Sequence, residues 1–105
     1  MLVASSLNVW MEGNQVVVHA EWRVPDATGI LTDPTTVVYT ARRADDSPTA
    51  YTYGVATQVT RVSAGIFELR IVPASGVWRV HVQGTGAAYA AEEISFKIDK
   101  SGALA

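Results

Sequence analysis

The residues of this sequence that could do chemistry form a short set. Gly84 and Gly86 close the stretch Gly76-Val77-Trp78-Arg79-Val80-His81-Val82-Gln83-Gly84-Thr85-Gly86, with one residue between them after an extended run. Such a pair could open a phosphate loop, in which backbone N–H groups at a helix start hold a dinucleotide. That chemistry needs a third glycine, a helix beginning there and an acid about 20 residues on. Position 89 is Tyr89, and Ala90-Ala91-Glu92-Glu93-Ile94-Ser95-Phe96-Lys97-Ile98 follows, with a strand at its end. The expectation is therefore a turn at Gly84 and Gly86 between antiparallel strands, and no cofactor.

The remaining candidates are weaker. His19 and His81 are the two histidines, and the chain has no cysteine to complete a zinc site. Both fall on the polar parity of strand-like runs, which predicts solvent-facing side chains and no metal. Glu92 and Glu93 are adjacent, and neighbours on a strand point to opposite faces, so their carboxylates cannot converge on one substrate. One of them could face inward at the rim and pair with an arginine. Ser75-Gly76 has the composition of a turn, and no serine stands in a nucleophile motif. The expectation is a protein that is not an enzyme and has no catalytic residues.

The elements around these residues alternate with period two. Val16, Val18, Ala20, Trp22 and Val24 alternate with His19, Glu21 and Arg23; Phe67, Leu69 and Ile71 alternate with Glu68 and Arg70. Trp78, Val80 and Val82 alternate with Arg79, His81 and Gln83, and Ile94, Phe96 and Ile98 with Glu93, Ser95, Lys97 and Asp99. Further strands are expected over Thr36–Arg43, around Tyr51 and Tyr53, near Leu7–Met11 and near Thr57–Val62. Glycine, proline, asparagine and aspartate separate these runs, as turns require. The expected fold is all-β: an antiparallel β-sandwich, Ig-like in layout, with about seven to eight short strands. Its core would contain Trp22, Trp78, Val80, Phe67, Leu69, Ile94 and Phe96, with the two indoles meeting across the interior.

At 105 residues the chain is expected to be one domain, residues 1–105. The formal charge is −2 and the cations are scattered, so no nucleic-acid footprint is visible. No apolar run is long enough for a membrane span, and the first ten residues make a poor signal peptide, which points to synthesis in the cytoplasm. Charged residues are 17% and apolar residues 49% of the chain. So little charge leaves neutral or apolar surface exposed, as at a contact with another subunit.

Several motifs in order carry a resemblance: Asp33-Pro34-Thr35-Thr36-Val37, Tyr51-Thr52-Tyr53-Gly54, Gly65-Ile66-Phe67, Gly76-Val77-Trp78 leading to Gly84-Thr85-Gly86, and Ala90-Ala91-Glu92-Glu93 closing on Phe96. From about Trp22 to Ile98 the chain resembles a family of small Ig-like β-sandwich virion proteins of tailed bacteriophages, encoded near the head and the head–tail junction. The resemblance implies a non-enzymatic virion component, made in the bacterial host, that binds other virion proteins (capsid, portal or neck) and copies of itself. It implies a place at the head–tail neck or on the capsid surface, and no nucleic-acid, membrane or small-molecule partner. The alternative is a capsid decoration protein with an Ig-like module for host-surface glycans, motivated by Trp10, Tyr51, Tyr53 and Tyr89. The candidate interface residues are Trp10, Arg42, Arg43 and Leu104. The segments 1–11 and 99–105 and the loop Arg42–Thr49 are the candidate contact elements.

Overall fold

The computed structural model describes residues 4–23, 30–44, 46–85, 90–101 and 104. Eight strands follow in order: β1 (Ala4–Glu12), β2 (Gln15–Arg23), β3 (Thr36–Arg43), β4 (Thr49–Thr52), β5 (Val59–Ser63), β6 (Ile66–Ile71), β7 (Gly76–Thr85) and β8 (Ala90–Ile98). They form two four-stranded sheets, ordered β1-β2-β6-β5 and β4-β3-β7-β8, in which every pairing is antiparallel. This order is that of an Ig-like sandwich, with strands A, B, E and D in one layer and C′, C, F and G in the other. Val24 of the expected second strand lies outside the described residues, as do Tyr89 and Gly86.

The alternation seen in the sequence builds the interior. Val16, Val18, Ala20 and Trp22 of β2 meet Phe67, Leu69 and Ile71 of β6 and Val37, Tyr39, Ala41, Val80 and Val82 of the opposite sheet. Phe96 and Ile98 of β8 are buried as well, while Trp78 and Ile94 are only partly buried against this cluster. The Tyr39 hydroxyl crosses the interior and donates to the Phe67 carbonyl at 3.0 Å, tying one sheet to the other. Burial pushes the Tyr39 phenol far above its ordinary range, so it stays a neutral donor.

Two expectations need correction here. The indoles do not meet. Trp22 packs edge-on against Phe67, with ring centroids 5.7 Å apart, and lies beneath Gly84 near one end of β7. Trp78 stands near the other end of that strand, on the order of 20 Å away at ~3.3 Å per residue. There its Nε1 donates to the Ala74 carbonyl at 2.9 Å. Gly84 also does not make a turn. It is buried within β7, and a Cβ there would stand 2.7 Å from Trp22 Nε1 and 2.9 Å from Pro34 Cβ. Glycine is required because the Trp22 ring lies on the backbone itself.

The turn before β6 has a different requirement. Gly65 has φ +72°, and a Cβ there would come within 2.7 Å of both Thr32 N and Trp22 O. Its N–H donates to Asp33 Oδ1 at 2.7 Å, and the same carboxylate receives Arg61 Nη2 at 2.9 Å. The aspartate of the Asp-Pro-Thr motif therefore locks the β5–β6 turn to the approach to β3. These donors hold the Asp33 carboxyl below its usual range, the Arg61 guanidinium foremost.

Candidate interaction surfaces

The outer face of the β1-β2-β6-β5 sheet is a closed network. His19 stands at its centre, its cross-strand partners being Asn8 on β1 and Glu68 on β6. Glu68 Oε2 lies 2.9 Å from His19 Nδ1, and Glu21 Oε2 lies 2.8 Å from Nε2. A neutral imidazole has one N–H and can satisfy one of these acceptors; only the imidazolium donates to both. Burial pulls the His19 pKa down, but the hydrogen bonds and charges of Glu68 and Glu21 outweigh it and leave the group above its ordinary value. The carboxylates are held in turn, Glu21 by Arg23 at 2.7 Å and Glu68 by Arg70 at 3.1 Å, while Arg70 also reaches Glu12 at 3.0 Å.

This face also hides an apolar residue. Val17 is fully buried although it sits on the outward parity of β2, between its cross-strand partners Trp10 and Arg70. The indole of Trp10, 5.5 Å from the His19 ring, and the stem of Arg70 provide its cover. His19 is therefore half-buried and paired rather than solvent-facing.

The outer face of the β4-β3-β7-β8 sheet is built differently. Arg42 and Arg79 are direct cross-strand partners on β3 and β7. Like charges so placed repel. Among the described residues no carboxylate side chain forms an ion pair with either; Arg42 Nε donates to the Asp46 backbone carbonyl at 3.1 Å. The two arginines, Ala44 and Val77 line a shallow depression of about 290 Å³. Val77 is 48% exposed at its centre, and Lys97, its partner on β8, adds a third cation beside it. A hollow of this size takes one or two side chains rather than a metabolite. Three cations around an exposed apolar residue suit an acidic and apolar protein segment.

The other singled-out residues are dispersed. His81 lies on the outer face of the second sheet, opposite Glu93, and so on the far side of the sandwich from His19. Glu92 and Glu93 are both exposed, and neither forms an ion pair among the described residues, contrary to the expected rim contact. Ser75 accepts from Arg43 Nη1 through its carbonyl at 3.3 Å, and Arg43 also holds Asp46 at 2.8 Å, so Arg43 is a loop brace. Leu104 is half-buried against the core and bridges to Ile98. Tyr51 packs on the core, and the Tyr53 ring meets Phe67 edge-on at 5.1 Å. Of the four expected interface residues, Arg42 lines the depression and Trp10 is 36% exposed on the other sheet.

Arg79 and Val77 were not singled out in the sequence, where Arg79 reads as a polar-parity residue. What makes it notable is the register that sets it against Arg42, and alternation alone does not give register. Among the described residues no helix is long and apolar enough to cross a membrane, and no group of three His, Asp or Glu side chains could hold a metal ion. Comparison with known protein families, curated proteins and solved structures finds no match for this chain.

Proposed function

We propose that this chain is a non-enzymatic structural component of a tailed-phage particle, binding neighbouring virion proteins at the head–tail neck or on the capsid surface. The observation that carries the binding role is the cationic rim of Arg42, Arg79 and Lys97 around exposed Val77, with no ion-pair partner for any of the three among the described residues. Uncompensated like charges on a sheet face cost stability in the isolated domain, and a partner carboxylate removes that cost. The particle setting rests on the ordered motifs, whose residues have fold-keeping roles here: Asp33 and Gly65 in the turn lock, Gly84 under Trp22. A repeating shell suits such a contact, because many modest interfaces hold together by avidity.

The test is mass spectrometry of purified particles, with the wild-type chain and with Arg42→Glu/Arg79→Glu. The wild-type chain should be present and the double variant depleted. Copies per particle, from gel densitometry, then separate a ring of about a dozen at the neck from hundreds on the shell. Purified particles without the chain would refute the reading.

A further inference from the structure

The fold sorts the cations that the sequence scatters. The chain has eight lysines and arginines. Arg23 pairs with Glu21, Arg43 with Asp46, Arg61 with Asp33, and Arg70 with Glu12 and Glu68. The others, Arg42, Arg79, Lys97 and Lys100, are exposed and form no ion pair among the described residues. All of these stand at one end of the β4-β3-β7-β8 sheet.

That end of the sheet is arranged in rows across the strands. Arg42 and Arg79 share the first row. Ala44, whose N–H donates to the Val77 carbonyl at 2.9 Å, shares the second with Val77 and Lys97. Beyond it a second hollow of about 340 Å³ opens between Ser75, Gly76, Lys97 and Lys100. Asp99 also lines this hollow, but its carboxylate accepts from the Ser101 N–H and hydroxyl, at 2.9 and 2.6 Å, and pairs with neither lysine. Two residues of one strand separate successive rows, which therefore lie ~7 Å apart. An extended chain laid along β7 repeats its facing side chains at that same spacing. The facing positions of a helix recur at about 5–6 Å and fall out of step.

We infer that this end of the sheet binds an extended protein segment in which an apolar residue stands between two acidic ones, all at alternate positions. The first carboxylate meets the Arg42 and Arg79 guanidiniums, whose planar forks suit it. Arg42 Nε already donates to the Asp46 carbonyl at 3.1 Å, which restrains that side chain beside Arg79 before anything binds. The apolar side chain covers Val77 and Ala44, and the second carboxylate enters the hollow between Lys97 and Lys100. The inference rests on the binding role proposed above and names the class of segment that fills it. Charge complementarity selects the acids, and exposed Val77 selects the apolar residue between them. None of the residues lining the two hollows is aromatic, so a nucleic-acid base finds no ring to stack on.

The experiment is an NMR titration of the full chain with synthetic peptides centred on Glu-Thr-Leu-Thr-Glu, Gln-Thr-Leu-Thr-Gln and Glu-Thr-Ser-Thr-Glu, and with oligothymidylate as the phosphate control. The expected result is saturable shifts of the Ala44, Val77, Arg79 and Lys97 amides with the first peptide. Glutamine for glutamate should weaken binding by about tenfold, and serine for leucine severalfold. Arg79→Glu and Lys100→Glu should each weaken the first peptide by about tenfold, with the rest of the spectrum showing that the variants are folded. Glu92→Gln, toward the other end of β8, should leave binding unchanged. No shift of these amides with the first peptide overturns the inference. So do equal binding of the glutamine peptide, indifference to both charge reversals, or oligothymidylate bound as tightly as the peptide. A chain found in purified particles that binds no peptide overturns this inference and spares the particle reading; a chain that binds the peptide but is absent from particles does the reverse.

Discussion

The two outer faces of this sandwich handle charge in opposite ways. On the β1-β2-β6-β5 sheet the charged groups pair with one another: Glu12 with Arg70, Glu68 with Arg70 and His19, Glu21 with His19 and Arg23. On the β4-β3-β7-β8 sheet Arg42 faces Arg79, and Lys97 stands beside exposed Val77. The first face satisfies itself and stabilises the fold; the second, among the described residues, has no carboxylate paired with these three cations. A charge-poor composition therefore does not describe either surface, since what distinguishes them is pairing and not content.

The largest expected effect lies in the interior that both faces share. Trp22→Ala removes a fully buried indole and should cost about 3–5 kcal/mol, enough to unfold most domains of this size. Trp78→Ala, at a partly buried position, should cost visibly less, and equal losses in denaturant titration would show that the indoles are not differently placed. Gly84→Ala forces a methyl against Trp22 Nε1 and should cost about 1–3 kcal/mol of overpacking, read as a lowered denaturant midpoint. A neutral outcome would mean that the ring yields.

The comparison of the faces is sharpened next by Glu68→Ala. Its carboxylate is only 13% exposed and serves both His19 and Arg70, so its loss should cost about 1–2 kcal/mol. Changing pH separates the faces without mutation. His19 is raised in the folded state from its ordinary 6.5, so its contribution is fully present below that value and fades as pH rises through the higher folded one. Glu21 is lowered from its ordinary 4.5, chiefly by His19, so its contribution is present above that value and fades as pH falls through the lower one. The first face should thus stabilise the domain most on the acid side of neutrality. Melting temperature should fall as the pH is raised above 6.5, and His19→Gln should flatten that fall. The smallest effect belongs to the second face: Arg79→Ser should change stability by no more than ~0.5 kcal/mol and in the favourable direction, most clearly at low salt. A clear loss would mean that Arg79 is satisfied after all.

How much of this was legible in the residues depends on the range of the interaction that decides each feature. The strands were legible, because inward and outward side chains alternate along a single segment: Phe67 and Leu69 were placed in the core from parity alone, and both are buried. Val17 was not, since Val16-Val17-Val18 has no alternation and its cover, Trp10 and Arg70, comes from two other strands. Gly84 was misjudged for the same reason. A glycine between strand-like residues signals either a bend or a close approach, and the approaching ring belongs to Trp22, sixty-odd residues earlier. His19 had the right face and the wrong surroundings, because Glu68 is its neighbour in space and lies 49 positions away in the chain.

Period-two patterning and turn residues were thus enough to specify an all-β chain of about eight strands and the inward side of most of them, since these follow from backbone geometry within each segment. Strand register was needed for everything with functional content: the His19 clasp, the opposed Arg42 and Arg79, and the indoles at opposite ends of the core. Register comes from pairing between distant segments, and shifting it by one residue turns every side chain to the other face.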